Sequence, residues 1–90
     1  MDYEWDPAKA EANLKKHGVA FADAALALED PLARTIPDPD AVGESRLICM
    51  GVDPTGRLLV TVFAPGRTTT RIISSRKASR GERLNYESKR

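Results

Sequence analysis

Arg46-Leu47-Ile48-Cys49-Met50-Gly51-Val52, then Asp53-Pro54-Thr55-Gly56, then Arg57-Leu58-Leu59-Val60-Thr61-Val62-Phe63-Ala64 and Pro65-Gly66, decide how this chain folds. Two runs rich in Leu, Ile, Val and Thr flank a four-residue segment with proline second and glycine fourth. That is a β-turn signature, because proline presets φ at the second position and glycine suits the fourth. Pro65-Gly66 marks another reversal, and Thr68 to Ser75, with Ile72 and Ile73, reads as a third strand. Three strands joined by two tight turns form an antiparallel meander. Alternation along the first run sets Arg46 on one face with Glu44, Ile48 and Met50.

Upstream of Glu44 the apolar period is that of helices. Asp6 followed by Pro7 supplies an N-cap and a proline at the first helical position, so a helix runs from Pro7 to His17 and stops at Gly18. Lys9, Asn13 and His17 recur at every fourth position and read as one polar stripe. Phe21, Ala24, Ala25 and Leu28 form the apolar face of a second helix, which Pro31 ends. Tyr3-Glu4-Trp5 reads as a short strand before the first helix, and Trp5 and Phe21 are assigned to the core. Leu32 to Gly43, with two more prolines, reads as a loop holding a short strand near Thr35-Ile36. After the meander, Ser79-Arg80-Gly81-Glu82 fits a capping box that opens a helix from Arg80 to Ser88. The predicted class is α+β, over residues 1–90 as one domain: an N-terminal strand and two helices packed on an antiparallel sheet, closed by a C-terminal helix.

Charge is divided unevenly. Met1 to Ser45 holds 4 basic and 10 acidic residues, whereas Arg46 to Arg90 holds 10 basic and 3 acidic, eight of the basic ones being Arg. A basic, arginine-rich half suits a polyanion, since guanidinium pairs with phosphate through a planar fork. Mutual neutralisation of the two halves in the fold is the plainer reading, and composition does not choose between them. Cys49 is the single cysteine, which excludes an intrachain disulfide and fits a reducing, cytoplasmic setting. No apolar run approaches the length of a membrane span, and the acidic N-terminus does not read as a secretory signal.

Trp5-Asp6-Pro7-Ala8-Lys9, Asn13-Leu14 and Lys16-His17-Gly18-Val19 with Phe21 resemble the opening of BrnT-type toxins. Glu44-Ser45-Arg46, Gly51 and Gly56-Arg57 resemble the middle of that family. Arg71-Ile72-Ile73-Ser74, Arg76-Lys77-Ala78, Glu82-Arg83 and Tyr86 resemble its end. The resemblance implies a RelE-like ribonuclease that inhibits translation and growth. It also implies an antitoxin partner of the BrnA type with a ribbon-helix-helix DNA-binding part, through which the complex contacts operator DNA.

Cleaving RNA through its own 2′-hydroxyl needs a base, an acid and cations that stabilise the charged phosphorane. One His, one Cys and acids without ligand spacing point to a metal-independent reaction with no cofactor. Candidate catalytic residues are Glu44, Arg46, Arg76, Glu82 and Tyr86, and candidate RNA contacts are Arg57, Arg71, Lys77, Arg80 and Arg83. Each has a structural alternative. The arginines can be solvated strand ends or ion-pair partners, Glu82 can serve the capping box alone, and Tyr86 can pack in the core. His17 is a possible acid or base, but imidazolium in a last helical turn also answers the helix dipole. The competing functional class is a non-enzymatic nucleic-acid-binding or adaptor module acting through a partner.

Overall fold

The computed structural model describes residues 2–88. The elements in chain order are β1 (Asp2–Glu4), α1 (Pro7–His17), α2 (Phe21–Ala27), β2 (Arg34–Pro37), β3 (Leu47–Val52), β4 (Leu58–Pro65), β5 (Thr69–Lys77) and α3 (Arg80–Ser88). They build one five-stranded sheet in the order β1-β5-β4-β3-β2. The expected meander is there, with β3, β4 and β5 antiparallel, and β2 near Thr35-Ile36 extends it antiparallel to β3. The sheet is nonetheless mixed: β1 lies parallel to β5, with Tyr3 opposite Thr70. A parallel neighbour needs a long crossover, and everything between β1 and β5 supplies it.

Local chemistry sets the helix ends. The Asp6 carboxylate accepts from the Ala8 amide at 2.9 Å, and Gly18 takes the left-handed conformation at φ 71°, returning its N–H to the Leu14 carbonyl. Both are the caps expected of those residues. The Ser79 hydroxyl accepts from the Glu82 amide, and the Glu82 carboxylate accepts from the Ser79 amide at 2.8 Å, closing the capping box of α3.

Helices α1 and α2 cover one face of the sheet. Phe21, Ala24 and Ala25 pack with Ile72, and Val19 and Ala27 pack with Leu59. Gly51 is where α2 comes closest, since a Cβ there would stand 2.3 Å from the Ala27 carbonyl oxygen. Trp5 meets Phe21 edge to face at 6.0 Å between ring centroids, at the margin of this layer.

Asn13 departs from its reading as part of a polar stripe. It is buried. Its side-chain amide donates to the Val19 carbonyl at 3.0 Å and to the Ser75 carbonyl at 2.8 Å, and its oxygen accepts from the Ser75 amide at 3.1 Å. β1 pairs β5 only up to Arg71, so the outward backbone groups of Ser75 have no strand beside them. The Asn13 carboxamide stands in for the missing peptide unit. Each buried group left without its partner costs ~1–3 kcal/mol, against a total stability of ~5–14 kcal/mol for a chain of this length. Asn13→Ala should therefore lower the urea midpoint by a large fraction. Asn13→Asp should do no better, since a carboxylate cannot donate to the Val19 and Ser75 carbonyls. A stability loss under about 0.5 kcal/mol, as for an ordinary surface substitution, would contradict this account.

Candidate active site

The register sorts the arginines between the two faces. Arg76 lies opposite Val60, which lies opposite Met50, which lies opposite Arg34. Side chains directly opposite share a face, so Arg34, Met50, Val60 and Arg76 point together, away from α1 and α2. One step along the sheet, Ile36, Ile48, Val62 and Ser74 form the next row of that face. Arg46 precedes Leu47 and continues the alternation onto it.

Arg71 reaches this face only because the sheet is irregular. Five residues separate Arg71 from Arg76, and strict alternation would put them on opposite sides. A bulge between Val62 and Phe63 absorbs one extra residue of β5, so Ile72 turns to the helical core and Arg71 to the open face.

Two ion-pair groups result. Arg71 donates to Glu44 at 2.6 Å, and Arg46 donates to the same Glu44 oxygen at 3.3 Å. Farther along the face, Arg76 grips both oxygens of Glu82 at 2.8 and 2.9 Å. The Arg76 hydrogen bonds come first among the forces that hold the Glu82 carboxyl down at about 2, followed by the Ser79 amide. Glu82 in turn pushes the Arg76 guanidinium up. Charge-assisted fork pairs of this kind orient both partners.

The other candidates are placed elsewhere. Arg57 serves the fold: it donates to Asp53 at 2.9 Å, to the Gly18 carbonyl at 3.0 Å and to Asp23 at 3.3 Å, clasping the β3–β4 turn to the ends of α1 and α2. Burial would push the buried Asp53 carboxyl up, but hydrogen bonds from Thr55 and Arg57 outweigh it and hold the group low. Lys77 lies opposite Leu59, on the side of the helices. Arg80 and Arg83 are exposed on α3, and Arg83 stands 3.9 Å from Glu87. His17 is half-buried in the last turn of α1, across the sheet from Arg46 and Arg76.

Tyr86 is buried, donates its hydroxyl to Asp30 at 3.0 Å and carries the Arg34 guanidinium 6.0 Å above its ring. It therefore fastens α3 to the sheet. Arg34, Asp30 and Asn85 were not singled out from sequence. Arg34 is read there as part of a loop, and nothing in sequence spacing pairs it with a tyrosine 52 positions later.

A hollow of about 590 Å³ opens on the helical side between Tyr3, Leu28, Cys49 and Phe63. Glu29 is its one charged lining residue and accepts the Tyr3 hydroxyl at 2.9 Å, so it does not suit a polyanion. Burial first, then that hydrogen bond, pushes the Tyr3 hydroxyl up to about 12, and burial likewise pushes the Cys49 thiol up. The open face with its arginines is the better candidate for phosphate.

The Arg76–Glu82 pair also makes a pH prediction. Folding lowers the Glu82 pKa from 4.5 to about 2, so the pair's stabilisation is complete above the higher value and is lost as pH falls toward the lower. Both side chains are partly exposed, and such pairs contribute about 1 kcal/mol or less. The stability gap between the natural chain and Glu82→Gln should be widest near neutral pH and shrink across that acid window. A gap that is constant with pH would mean Glu82 acts only as a neutral cap.

No curated protein matches this sequence. The chain is similar to the crystal structure, at 1.1 Å resolution, of the Brucella abortus ribonuclease toxin BrnT. The two are 30% identical with a TM-score of 0.70, over 89% of this chain and 99% of that one. The family described as ribonuclease toxin, BrnT, of type II toxin–antitoxin systems matches residues 5–82. The α+β, RelE-like class expected from the resemblance holds, and the chain belongs to the BrnT family of ribonuclease toxins of type II toxin–antitoxin systems.

Proposed function

We propose that this protein is a metal-independent endoribonuclease whose site is the open face of the sheet. The observation that carries the reading is that Arg46, Arg71 and Arg76 share one face with two carboxylates, Glu44 and Glu82. A phosphate arriving there competes with carboxylates already aligned for the same guanidinium donors, so the cations are oriented before substrate binds. Arg46, Arg71 and Arg76 hold the scissile phosphate and stabilise its developing charge. Glu44 takes the proton of the ribose 2′-hydroxyl as that oxygen attacks phosphorus. Glu82, held at about 2, is a poor base near neutral pH and positions Arg76 instead. As the P–O2′ bond forms the P–O5′ bond breaks, the leaving 5′-oxygen takes a proton from solvent, and the products are a 2′,3′-cyclic phosphate and a 5′-hydroxyl.

A BrnA-type antitoxin, bearing a ribbon-helix-helix part that contacts operator DNA, is the proposed partner. An acidic antitoxin segment over the arginine face would exclude RNA by charge complementarity, and antitoxin dimers would carry two toxin copies. If the neighbouring gene product binds, charge reversal at Arg46 should slow its association and flatten its salt dependence. A purified complex holding one toxin and no antitoxin dimer would count against the arrangement.

The catalytic test compares Arg46→Ala, Arg76→Ala and His17→Ala, each checked for folding, in growth arrest and RNA cleavage with a chelator present. A lost charge-stabilising donor costs on the order of 2.7–4 kcal/mol, about a hundredfold or more in rate. His17→Ala should cost ~0.3–1 kcal/mol of stability, up to ~2 for a half-buried ring, and leave cleavage intact. Full activity in both arginine variants with loss in His17→Ala would replace this site with histidine acid–base catalysis. Binding of RNA without cleavage by the natural chain would favour the adaptor reading.

A further inference from the structure

Beneath α3, on the same open face, lies a second hollow of about 210 Å³ lined by Arg34, Ile36, Ile48, Met50, Asn85 and Tyr86. We propose that this hollow receives one nucleobase of the RNA strand, next to the scissile phosphate, and so sets the base preference of cleavage. The proposal rests on the ribonuclease reading of this face.

Size is the first reason. Pockets for cofactors and drug-sized ligands run roughly 300–1,000 Å³, so this hollow suits a single planar ring. Its chemistry is the second. Ile36, Ile48 and Met50 make an apolar floor, and buried Tyr86 forms a wall with the Arg34 guanidinium over its ring, a plane on which a base can stack. Such surfaces hold the face of any base. Asn85 is exposed at the rim, and among the described residues its side-chain amide makes no hydrogen bond. A carboxamide presents donor and acceptor together, which is what reading a base edge requires.

Position is the third reason. Arg46 lies two residues from Ile48 on the same face, roughly 7 Å along the strand. Arg76 lies in the row of Met50, two strands away, or about 10 Å. A base in the hollow would thus have cations on both sides at distances that long arginine side chains can close, suiting the phosphates before and after it.

The experiment uses a random-sequence RNA oligonucleotide pool, with fragment ends read by sequencing for the natural chain, Asn85→Ala, Asn85→Asp and Met50→Trp. The natural chain should cut with a base preference beside the scissile bond. Asn85→Ala should flatten that preference, and Asn85→Asp, which keeps the acceptor and loses the donor, should change which base is favoured. Met50→Trp fills the hollow and should reduce cutting about 5- to 150-fold, the worth of one base stack. Circular dichroism confirms that each variant is folded.

If the natural chain does not cut RNA, the ribonuclease reading itself has failed. If it cuts, and both Asn85 variants keep its base preference and rate, the base pocket is wrong. Unchanged cutting by Met50→Trp, with the hollow filled, would likewise overturn it.

Discussion

The contact on which this structure depends is the Asn13 carboxamide against the backbone of Ser75. It accepts from the Ser75 amide, donates to the Ser75 carbonyl and also reaches the Val19 carbonyl. It does for β5 what a neighbouring strand would do, at the point where the short β1 has ended. In the same step it fixes the height of α1 on the sheet and the path of the chain into α2. Ser75 is itself anchored on the other side, its hydroxyl 2.9 Å from that of buried Thr61. Among the described residues no buried side-chain polar atom lacks a partner. A polar core of this kind specifies one arrangement, because any other register leaves groups unpaired in a medium where that is costly.

Docking the helices on one face leaves the other available. One departure from strict alternation adds to what that face carries. The bulge at Val62/Phe63 turns Arg71 toward it. Arg57 falls by plain alternation on the helical side with Leu59, where its guanidinium is committed to Asp53, Asp23 and the Gly18 carbonyl. The uneven charge distribution therefore has two outcomes in one molecule. Arg57 with Asp23, and Arg46 and Arg71 with Glu44, do neutralise charge between the basic and acidic halves. Yet the pairs on the open face are partly exposed, and exposed ion pairs are weak enough for a phosphate to exchange into.

Helix α3 is held by few contacts, each of them chemically specific. At its start Glu82 joins the capping box to Arg76, and near its end Tyr86 joins Asp30 and Arg34. Asn85 and Tyr86 of this helix line the hollow over Ile36, Ile48 and Met50. Leu84, between the two attachments, remains exposed. The helix thus contributes position more than core.

Much of this was readable along the chain. The caps at Asp6 and Gly18, the turn at Asp53-Pro54-Thr55-Gly56, the box at Ser79 and Glu82, and the three strands of the meander all follow from interactions between residues a few positions apart. Such interactions are written in local order, so sequence by itself determined the elements, their succession and the α+β class. The family resemblance likewise followed from motifs in sequence. Contacts between distant residues were not readable. Asn13 looked like one polar residue among several until Ser75, 62 positions away, gave it a backbone to complete. The parallel placement of β1, the face taken by Arg71, the clasp of Arg57 and the meeting of Arg34 with Tyr86 are of the same kind. Each depends on sheet register or on packing between separated segments, and one residue of slip would reverse it. Tertiary structure alone decided which arginines face outward together, because that depends on where a bulge falls and which face the helices cover.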